Sequence, residues 1–463
     1  MTYDPSPLLQ PDRGQTARTI HIVAKDAFDG WRAAQPPRVR ATLDATRIEA
    51  KAGASAILPG TEAEDWSVLL CVAKAPLGTW DLSKLAETLP DGTYRLDGAA
   101  AGAALLGWAI AQHNFTRYKH PDRTPGRVLL TSEPARIADA VALARATATV
   151  RDLVNTAAAD LGPAELEAEA VALAVTHGAQ ITVTKGAALA GGYPMIHAVG
   201  QAAATGREPR LIELEWGNPA HPRIAVIGKG VCFDSGGLDI KPSSGMRLMK
   251  KDMGGAAHAL ALADLIMAAH LPVRLHLLIP AVENAIAGNA FRPGDVLATR
   301  AGLTVENTNT DAEGRLILGD TLTRAGETGP ELILDFATLT GAARVALGPD
   351  LPATFVNDDT LADALLAAGA ANEDPLWRMP LWDGYDEMLT SDIADLVNAP
   401  DGGFAGAVTA ALFLRRFVPE GAQWAHLDTF AWRPGAKPGR PKGGEALGLR
   451  AAWGMLKARY GAH

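Results

Sequence analysis

Short apolar segments alternate with helix-forming stretches along the whole chain. Before about residue 130, the segments TIHIVA, SVLLCVA and RVLLTS stand between alanine-rich stretches, which is typical of a small α/β domain. Later segments are nearly continuous in apolar residues: RLIELEW, RIAVIGKG, VRLHLLIPAV, ELILDFATL and WAHLDTFAW. They alternate with helical stretches at residues 255–269 and 405–417. Because strands of this kind are apolar on both faces, they predict a sheet with helices on both sides.

A long helix is predicted between the two regions. Ile137, Val141, Val150 and Val154 recur at helical intervals in a stretch that contains no glycine. A chain of 463 residues is also long for a single core. We therefore expect an α/β protein with a small N-terminal α/β domain (1–132), a linker helix (133–156) and a larger C-terminal domain (157–463). The larger domain should have a central mixed sheet flanked by helices.

Composition narrows the class of protein. The net charge of −9 argues against a general role on nucleic acid or on an anionic membrane, since both require a basic surface. Cys71 and Cys232 are the two cysteines and give no disulfide framework, which fits a reducing compartment. The longest apolar run, residues 98–111, is too short to span a membrane and predicts a buried helix. The N-terminal stretch lacks the pattern of a secretory signal, so we expect a cytoplasmic protein.

The stretch NTNTDAEGRL is unusual because it carries three charges at alternating positions: Asp311, Glu313 and Arg315. In an extended segment, side chains two residues apart point to the same side. An extended conformation would therefore gather two carboxylates and a guanidinium on one face. The ordinary alternative is a solvated turn that contains an Asp–Arg pair.

Other charged residues follow the predicted strands. Lys229 ends RIAVIGK, Asp234 follows in FDSGG, Lys241 lies in LDIKPSSG, and Asp252 precedes a predicted helix. Singly, each has an ordinary interpretation: a surface lysine, a turn former or a helix cap. Together they lie where the sites of open α/β sheets gather, at the carboxyl ends of strands.

Four carboxylates brought together repel one another unless cations join them. Two divalent ions would balance the four acids, activate a water molecule and polarise a carbonyl or phosphoryl oxygen. The sequence contains no HExxH, no CxxC and no GxSxG motif, and GKGVCFDSGG fits neither GxxxxGK[ST] nor GxGxxG. The residues alone therefore indicate an oxygen-rich two-metal site that would act on a carbonyl or a phosphoryl group.

Four segments together resemble the leucyl aminopeptidases, the dinuclear metallo-aminopeptidases of the M17 type. These segments are VIGKGVCFDSGGLDIKPSSGMRLMKKDMGGAAHAL, PAVENAIAGNAFRPGDV, NTDAEGRL and DFATLTGA. The resemblance covers roughly residues 153–432, and the first 130 residues show little that matches. It implies that residues 157–463 form a catalytic metallopeptidase domain.

The resemblance also implies a role for each metal ligand. Asp234 and Glu313 would bridge two divalent ions, either Zn²⁺ or Mn²⁺. Lys229, as a neutral amine, and Asp252 would complete one metal site, and Asp311 would hold the other ion.

Other residues acquire roles in the reaction. Lys241 would stay protonated and stabilise the oxyanion, and Arg315 would hold a bicarbonate that acts as general base. Met249, Thr338 and Gly341 would line the pocket for the first side chain, which suggests a hydrophobic N-terminal residue such as leucine. The reaction would be hydrolysis of the N-terminal peptide bond, by a homohexamer.

Two alternatives remain open at this point. The same acids could serve another two-metal hydrolase that acts on phosphoesters. The chain could also be a non-catalytic scaffold or DNA-binding member of the family, although its complete polar set and acidic charge argue against this.

Overall fold

The computed structural model describes residues 3–62, 65–119 and 126–461. The chain divides into two compact units, Met1–Ala148 with Gly435–Pro441, and Thr149–Pro434 with Lys442–His463. The helix Ile137–Asn155 spans the division, as expected for the predicted linker helix. The α/β class with a small and a large domain is confirmed, whereas the boundaries at residues 132 and 156 remain a proposal.

The first unit contains a six-stranded sheet. Its strands are β1 (Leu9–Pro11), β2 (Arg18–Ala24), β3 (Ser55–Pro59), β4 (Trp66–Val72), β5 (Gly92–Asp97) and β6 (Arg127–Thr131), in the order β1-β6-β5-β2-β4-β3. Its helices are α1 (Phe28–Ala33), α2 (Pro37–Ala45), α3 (Ser83–Thr88) and α4 (Ala104–Ile110), and α5 (Ile137–Asn155) follows. Every residue of α4 is buried, which confirms the helix predicted within the long apolar run.

The second unit begins with strands that alternate with helices. Its strands are β7 (Gln180–Lys185), β8 (Arg210–Trp216), β9 (Arg223–Gly228), β10 (Gly230–Asp234), β11 (Arg274–Asn284), β12 (Val296–Ala298), β13 (Thr304–Glu306), β14 (Leu332–Ala337), β15 (Ala353–Val356), β16 (Trp377–Arg378), β17 (Leu396–Val397), β18 (Gln423–Asp428), β19 (Trp432–Arg433) and β20 (Gly443–Gly444).

The helices of the second unit are α6 (Pro163–His177), α7 (Gly186–Gly192), α8 (Pro194–Gly200), α9 (Ser243–Met246), α10 (Gly254–Ala268), α11 (Glu313–Gly326), α12 (Gly341–Leu347), α13 (Asp359–Ala371), α14 (Gly406–Arg415) and α15 (Leu449–Tyr460). Five 3₁₀ turns are also described: Ser6–Leu8 and Pro134–Arg136, then Ala158–Asp160, Met249–Met253 and Asp383–Leu389.

The main sheet of the second unit is mixed. Its order is β16-β15-β18-β14-β9-β11-β8-β7, and β10 pairs with β11. The five strands β18, β14, β9, β11 and β10 run parallel to one another, whereas β8 pairs antiparallel with β11 and β7, and β15 pairs antiparallel with β18. The carboxyl ends of the five parallel strands therefore lie at one edge of the sheet.

Helices cover both faces of this sheet, as the apolar strands predict. Ile333 and Ala337 of β14 belong to a buried cluster with residues of α8, α11 and α14. Phe336 belongs to the other face because side chains alternate along a strand, and the His258 ring of α10 stacks on it at 5.5 Å. Helix α10 therefore packs against the opposite face, where 13 of its 15 residues are buried.

The predicted helices and strands occur near their expected positions. The helices at residues 255–269 and 405–417 correspond to α10 and α14, and the ends differ by one or two residues. Cys71 and Cys232 are buried free thiols, consistent with the absence of a disulfide framework. Among the described residues, no helix is both long and apolar enough to cross a membrane.

A buried charge pair links β14 and β18 below the edge of the sheet. Asp335 accepts a hydrogen bond from Trp424 Nε1 at 2.7 Å, and its other oxygen lies 2.5 Å from Nδ1 of His426. Burial disfavours the imidazolium, but the Asp335 charge outweighs it and raises the pKa of His426. The pair therefore stabilises the fold fully below the unfolded pKa of histidine, and its contribution is lost as pH rises through the raised folded value.

Replacing His426 with phenylalanine should lower the free energy of unfolding by about 3 kcal/mol, because a buried carboxylate loses its partner. Urea unfolding measured at several pH values checks this. The deficit relative to the original protein should be larger at pH 6 than at pH 9, and His221→Phe, at a half-buried histidine, is the control. A deficit that grows with rising pH would show that the imidazolium does not stabilise the fold.

Candidate active site

The parallel edge of the large sheet brings five polar residues together. Lys229 follows β9, Asp234 ends β10, Asn284 ends β11, Thr338 follows β14 and Asp428 ends β18. Strand pairing aligns these ends, since Asp234 lies opposite Asn284 and Ala337 opposite Asp428. The structure thus brings three of the expected site residues, Lys229, Asp234 and Thr338, to one edge of the sheet.

Three buried carboxylates form the centre of the site. One oxygen each of Asp234, Asp252 and Glu313 lies within 4.8 Å of the other two. All three residues are at most 2% exposed. Asp252 belongs to the 3₁₀ turn Met249–Met253 and does not cap α10, whose N-cap residue is Met253. Such a buried acidic group requires cations to compensate its charge.

Lys229 provides one of these cations. Its Nζ lies 2.6 Å from Asp252 and 2.8 Å from Glu313. Burial opposes the charge on this amine, yet the adjacent carboxylates outweigh burial and raise the pKa of Lys229. Its binding to a metal as a neutral amine would require the loss of a proton that these acids hold in place.

Lys241 connects the fourth carboxylate to the other three. Its Nζ lies 2.8 Å from Asp234 and also forms an ion pair with Asp311. Asp311 is not part of the close group of three, and its side chain is 33% exposed. The four candidate acids are thus joined through two lysines. The neighbouring carboxylates outweigh burial and raise the pKa of Lys241, so it stays protonated.

The stretch NTDAEGRL is not an extended segment. Asp311 lies in a turn, and Glu313 begins α11, so Glu313 and Arg315 are helical. The alternation argument is therefore wrong in its geometry, although it singled out the residues that gather here. A Cβ atom at Gly314 would lie 2.7 Å from Nζ of Lys229, so only glycine allows the helix to approach the lysine this closely.

Two of the acids are hard to ionise in this arrangement. Burial and the Asp234 charge raise the pKa of Glu313 to about 8, and the same two causes raise the pKa of Asp311 to about 6. Asp252 behaves oppositely, because the Lys229 and Lys251 charges outweigh burial and hold its pKa well below the usual value. Lys229 and Lys241 alone therefore do not compensate four ionised carboxylates.

Arg315 contributes a second kind of group. Its Nη1 donates a hydrogen bond of 2.7 Å to the Asn398 carbonyl, whereas its buried Nε has no hydrogen-bond partner among the described residues. Burial lowers the pKa of Arg315 to about 10, although the Glu313 and Asp428 charges oppose this. An unpaired buried guanidinium N–H beside the carboxylates is the chemistry that an anion would satisfy.

Of the three expected pocket residues, Thr338 contacts Asp252 and Met249 shares its 3₁₀ turn. The Thr338 hydroxyl donates to Oδ1 of Asp252 at 2.8 Å and lies 3.0 Å from its carbonyl oxygen. Met249 is buried in the same 3₁₀ turn as Asp252, and Gly341 is exposed at the start of α12. Thr338 thus holds Asp252 in place, which the sequence did not suggest.

Comparison with known proteins assigns the family. The catalytic domain of the cytosol aminopeptidase family (M17) matches residues 148–452, and the N-terminal domain of M17 aminopeptidases matches residues 19–131. The chain belongs to the cytosol aminopeptidase family. The first 130 residues, in which the sequence showed little resemblance, are therefore also those of an M17 aminopeptidase.

Individual relatives of this aminopeptidase agree. A probable cytosol aminopeptidase of Syntrophotalea carbinolica is 41% identical over 369 residues, which cover 76% of this chain and 73% of the relative. The crystal structure of the cytosol aminopeptidase from Coxiella burnetii superposes with a TM-score of 0.93 at 43% identity, over 98% of this chain and 99% of that one. The bottromycin maturation enzyme BotP, in complex with Mn, has a TM-score of 0.86 at 32% identity, over 96% and 100% of the two chains.

Membership establishes the chain as a metal-dependent aminopeptidase, a hydrolase that acts on peptides. The buried carboxylates fit that dependence. Oδ2 of Asp252 accepts no hydrogen bond of good geometry from a described residue, although Lys229 lies 2.6 Å away. Oxygen ligands of this kind suit hard divalent cations and zinc.

Several residues that shape the aminopeptidase site were not predicted. Asn398 is fully buried, accepts a hydrogen bond from the Thr308 amide at 2.8 Å and donates to the Asn309 carbonyl at 2.7 Å. Asp239 accepts a bond of 2.7 Å from the Thr310 amide. Single polar residues such as Asn398 and Asp239, outside any charged motif, are too common in a sequence to be selected as site residues.

Asn284 is the most informative of these residues. Its Nδ2 donates to Oδ1 of Asp234 at 2.9 Å and to the Thr310 carbonyl at 3.0 Å. The backbone carbonyl oxygen of Asn284 accepts hydrogen bonds from the backbone amide and the hydroxyl of Ser235. Asn284 therefore orients the Asp234 carboxylate and holds the loop before Asp311 close to it. In metal sites, residues that hydrogen-bond to the ligands commonly orient them in this way.

Replacing Asn284 with alanine should weaken metal binding by about 10- to 100-fold, because the Asp234 carboxylate loses its orientation. Competition with a chelator measures the metal affinity, and thermal melting reports the stability. Asn372→Ala, which removes the hydrogen bond of an asparagine at the end of α13, is the matched control and should retain metal affinity. Equal metal affinity in both variants would show that Asn284 has no such role.

Proposed function

We propose that this aminopeptidase uses two divalent metal ions, Zn²⁺ or Mn²⁺, held by Lys229, Asp234, Asp252, Asp311 and Glu313. The observation that carries the proposal is the group of three buried carboxylates, whose oxygens lie within 4.8 Å of one another. Asp234 and Glu313 would bridge the ions, Lys229 and Asp252 would complete one site, and Asp311 would complete the other. When bound, such ions activate a water molecule and polarise the scissile carbonyl.

Proton transfer is coupled to the loading of this site. Glu313 must be ionised to act as a ligand, and Lys229 must lose a proton. In the arrangement described, Glu313 has a raised pKa of about 8 and Lys229 a raised pKa as well. Metal uptake should therefore release protons and be favoured by alkaline pH.

Two cations would act on the substrate. The ammonium of Lys241 lies at the border of the carboxylate group with a side chain that is 13% exposed, so it can approach the scissile carbonyl and stabilise the oxyanion. Arg315 would hold a bicarbonate on its unpaired buried Nε, and this anion would serve as general base. Asp252 would receive the free amine of the substrate, which explains a requirement for an unblocked N-terminus.

The peptide beyond the scissile bond would lie on the side of Arg315 where its Nη1 donates to the Asn398 carbonyl. A cavity of about 610 Å³ is lined by residues that include Thr308, Val397 and Ala399, the last two adjacent to Asn398. Its volume is in the range of small-molecule sites. The cavity would take residues that follow the scissile bond.

The first side chain would lie near Met249, Thr338 and Gly341. The family resemblance favours a hydrophobic residue such as leucine there. We also propose a homohexamer and a cytoplasmic location, the latter because the relatives are named cytosol aminopeptidases. Peptide hydrolysis by the family weighs against the phosphoester alternative.

A substrate comparison tests the function. The purified chain, loaded with Mn²⁺ or Zn²⁺, should release the N-terminal residue from unblocked dipeptides and amino-acid amides. N-acetylated dipeptides and phosphodiesters should not be cleaved. Failure to hydrolyse any unblocked peptide with either metal would contradict the proposal, as would equal cleavage of acetylated peptides.

A further inference from the structure

A third lysine lies at the carboxylate group without a role in the reaction. Lys251 is 1% exposed, and its Nζ lies 3.2 Å from Oδ1 of Asp252. That oxygen also accepts the Thr338 hydroxyl, and the other oxygen of Asp252 is paired with Lys229. Among the described residues, Asp252 is the carboxylate within 4.0 Å of Lys251 Nζ, and Lys229 shares it, so the buried Lys251 charge is incompletely compensated.

A second cation lies close to the first. Arg344 of α12 has its guanidinium carbon 4.7 Å from the centre of the Phe430 ring, and Lys251 Nζ lies 5.7 Å from the same centre. Nη1 of Arg344 donates a bond of 3.2 Å to the Thr340 carbonyl. No carboxylate in the described part of the chain forms an ion pair with Arg344 at 4.0 Å or less.

Both cations lie on the segments proposed to hold the first side chain of the substrate. Lys251 follows Met249 by two residues in the same 3₁₀ turn, and Arg344 lies one helical turn after Gly341. Asp252, the residue proposed to receive the free amine, follows Lys251 in that turn, and its Oδ1 lies 3.2 Å from Lys251 Nζ. The side chain of an N-terminal residue bound at Asp252 would therefore extend towards two cations and an aromatic ring.

We propose that Lys251 and Arg344 select peptides whose N-terminal residue is acidic, aspartate or glutamate. This inference rests on the proposed function and replaces the hydrophobic first residue expected from the family resemblance. A side-chain carboxylate would pair with both cations and compensate the buried charge on Lys251. A leucine side chain would leave that ammonium with only the Asp252 carboxylate that it shares with Lys229, and it would cover Arg344, which disfavours it.

The test compares dipeptides that differ only in the first residue. For the metal-loaded full chain, kcat/KM is measured on Glu-Ala, Gln-Ala and Leu-Ala. Because glutamate and glutamine have nearly the same shape, their ratio isolates the charge. We expect Glu-Ala to exceed Gln-Ala by about tenfold or more, since a site built for a polar group discriminates strongly against its absence.

Variants connect this ratio to the two residues. Lys251→Met and Arg344→Met should each lower the Glu/Gln ratio by roughly tenfold while Leu-Ala cleavage is kept or increased. Arg344→Lys, which keeps the charge, should retain most of the preference. Lys250→Met is the matched control for Lys251, because Lys250 lies in the same turn but donates to the Asn155 carbonyl, and its ratio should not change. Thermal melting confirms that each variant is folded.

Several results would overturn the inference. One is cleavage of Leu-Ala with a Glu/Gln ratio of one or less. Another is an equal loss on all three dipeptides in Lys251→Met, which would show that Lys251 only positions Asp252. Binding of free glutamate, glutamine and leucine, followed by calorimetry, gives a readout that does not require turnover, and glutamate should bind most tightly. If no dipeptide is hydrolysed although glutamate binds, the proposed function fails and the assignment of the cations stands.

Discussion

Asp234→Ala should lose tight binding of divalent metal and, with it, roughly a thousandfold or more of the peptidase turnover. Asp234 is 2% exposed, and each of its oxygens has a defined partner in the site. Oδ1 accepts bonds of 2.9 Å from the Gly236 amide and from Asn284, and Oδ2 lies 2.8 Å from Lys241. Its removal leaves two carboxylates of the central three and takes away one of the two proposed bridging ligands.

Metal content after dialysis and turnover on an unblocked dipeptide measure both effects. Asp374→Ala is the matched control, because Asp374 is similarly buried and accepts bonds from the Gly448 and Arg450 amides at the start of α15. That control should lose stability and keep its metal. About two metal ions per chain in Asp234→Ala would contradict the bridging role.

Lys241→Ala and Arg315→Ala should each lower kcat by about 10²- to 10³-fold while the bound metal is retained. Neither residue is proposed as a ligand. The raised pKa of Lys241 keeps an ammonium beside Asp234, where it can stabilise negative charge on the substrate. Arg315 holds its unpaired Nε in a buried position suited to an anion.

The two variants should also differ from each other. Added bicarbonate should increase turnover of the original protein and have little effect on Arg315→Ala, whereas Lys241→Ala should still respond. Lys250→Ala serves as control for a loss of positive charge near the site. Loss of metal from either variant, or an unchanged kcat, would show that the proposed role is wrong.

Much of the fold was accessible from the sequence because buried parallel strands have a distinctive pattern. RIAVIG and ELILDFA are apolar at nearly every position, and both proved to be central strands of the large sheet. Lys229 and Asp234 could be placed for the same reason, since polar residues that follow such strands lie at one edge. The resemblance to the family motifs then implied that both residues bind metal.

The geometry of NTDAEGRL was not accessible in the same way. The alternation of charges predicts one face of an extended segment, but α11 begins at Glu313. Gly314 allows the first turn of α11 to approach Lys229, because a Cβ atom at this position would lie 2.7 Å from Nζ of Lys229. Local spacing cannot reveal a close approach to a residue 85 positions earlier in the chain.

The contacts that orient the proposed metal ligands could not be predicted from the sequence either. Asn284 reaches Asp234 from a neighbouring strand, and Thr338 reaches Asp252 from the end of β14. Lys251 stands beside a proposed ligand in the sequence, yet its burial and its approach to Phe430 depend on the loop after β18. These features arise from packing between distant segments, and no periodic pattern encodes them.

An anomalous-scattering map of crystals grown without added metal tests the central claim most directly. We expect two peaks about 3.5–4 Å apart, the usual separation in two-metal sites, with Asp234 and Glu313 touching both. The absorption edges would identify the ions at the same time. A single peak, or peaks away from Asp234, Asp252 and Glu313, would contradict the proposed two-metal site.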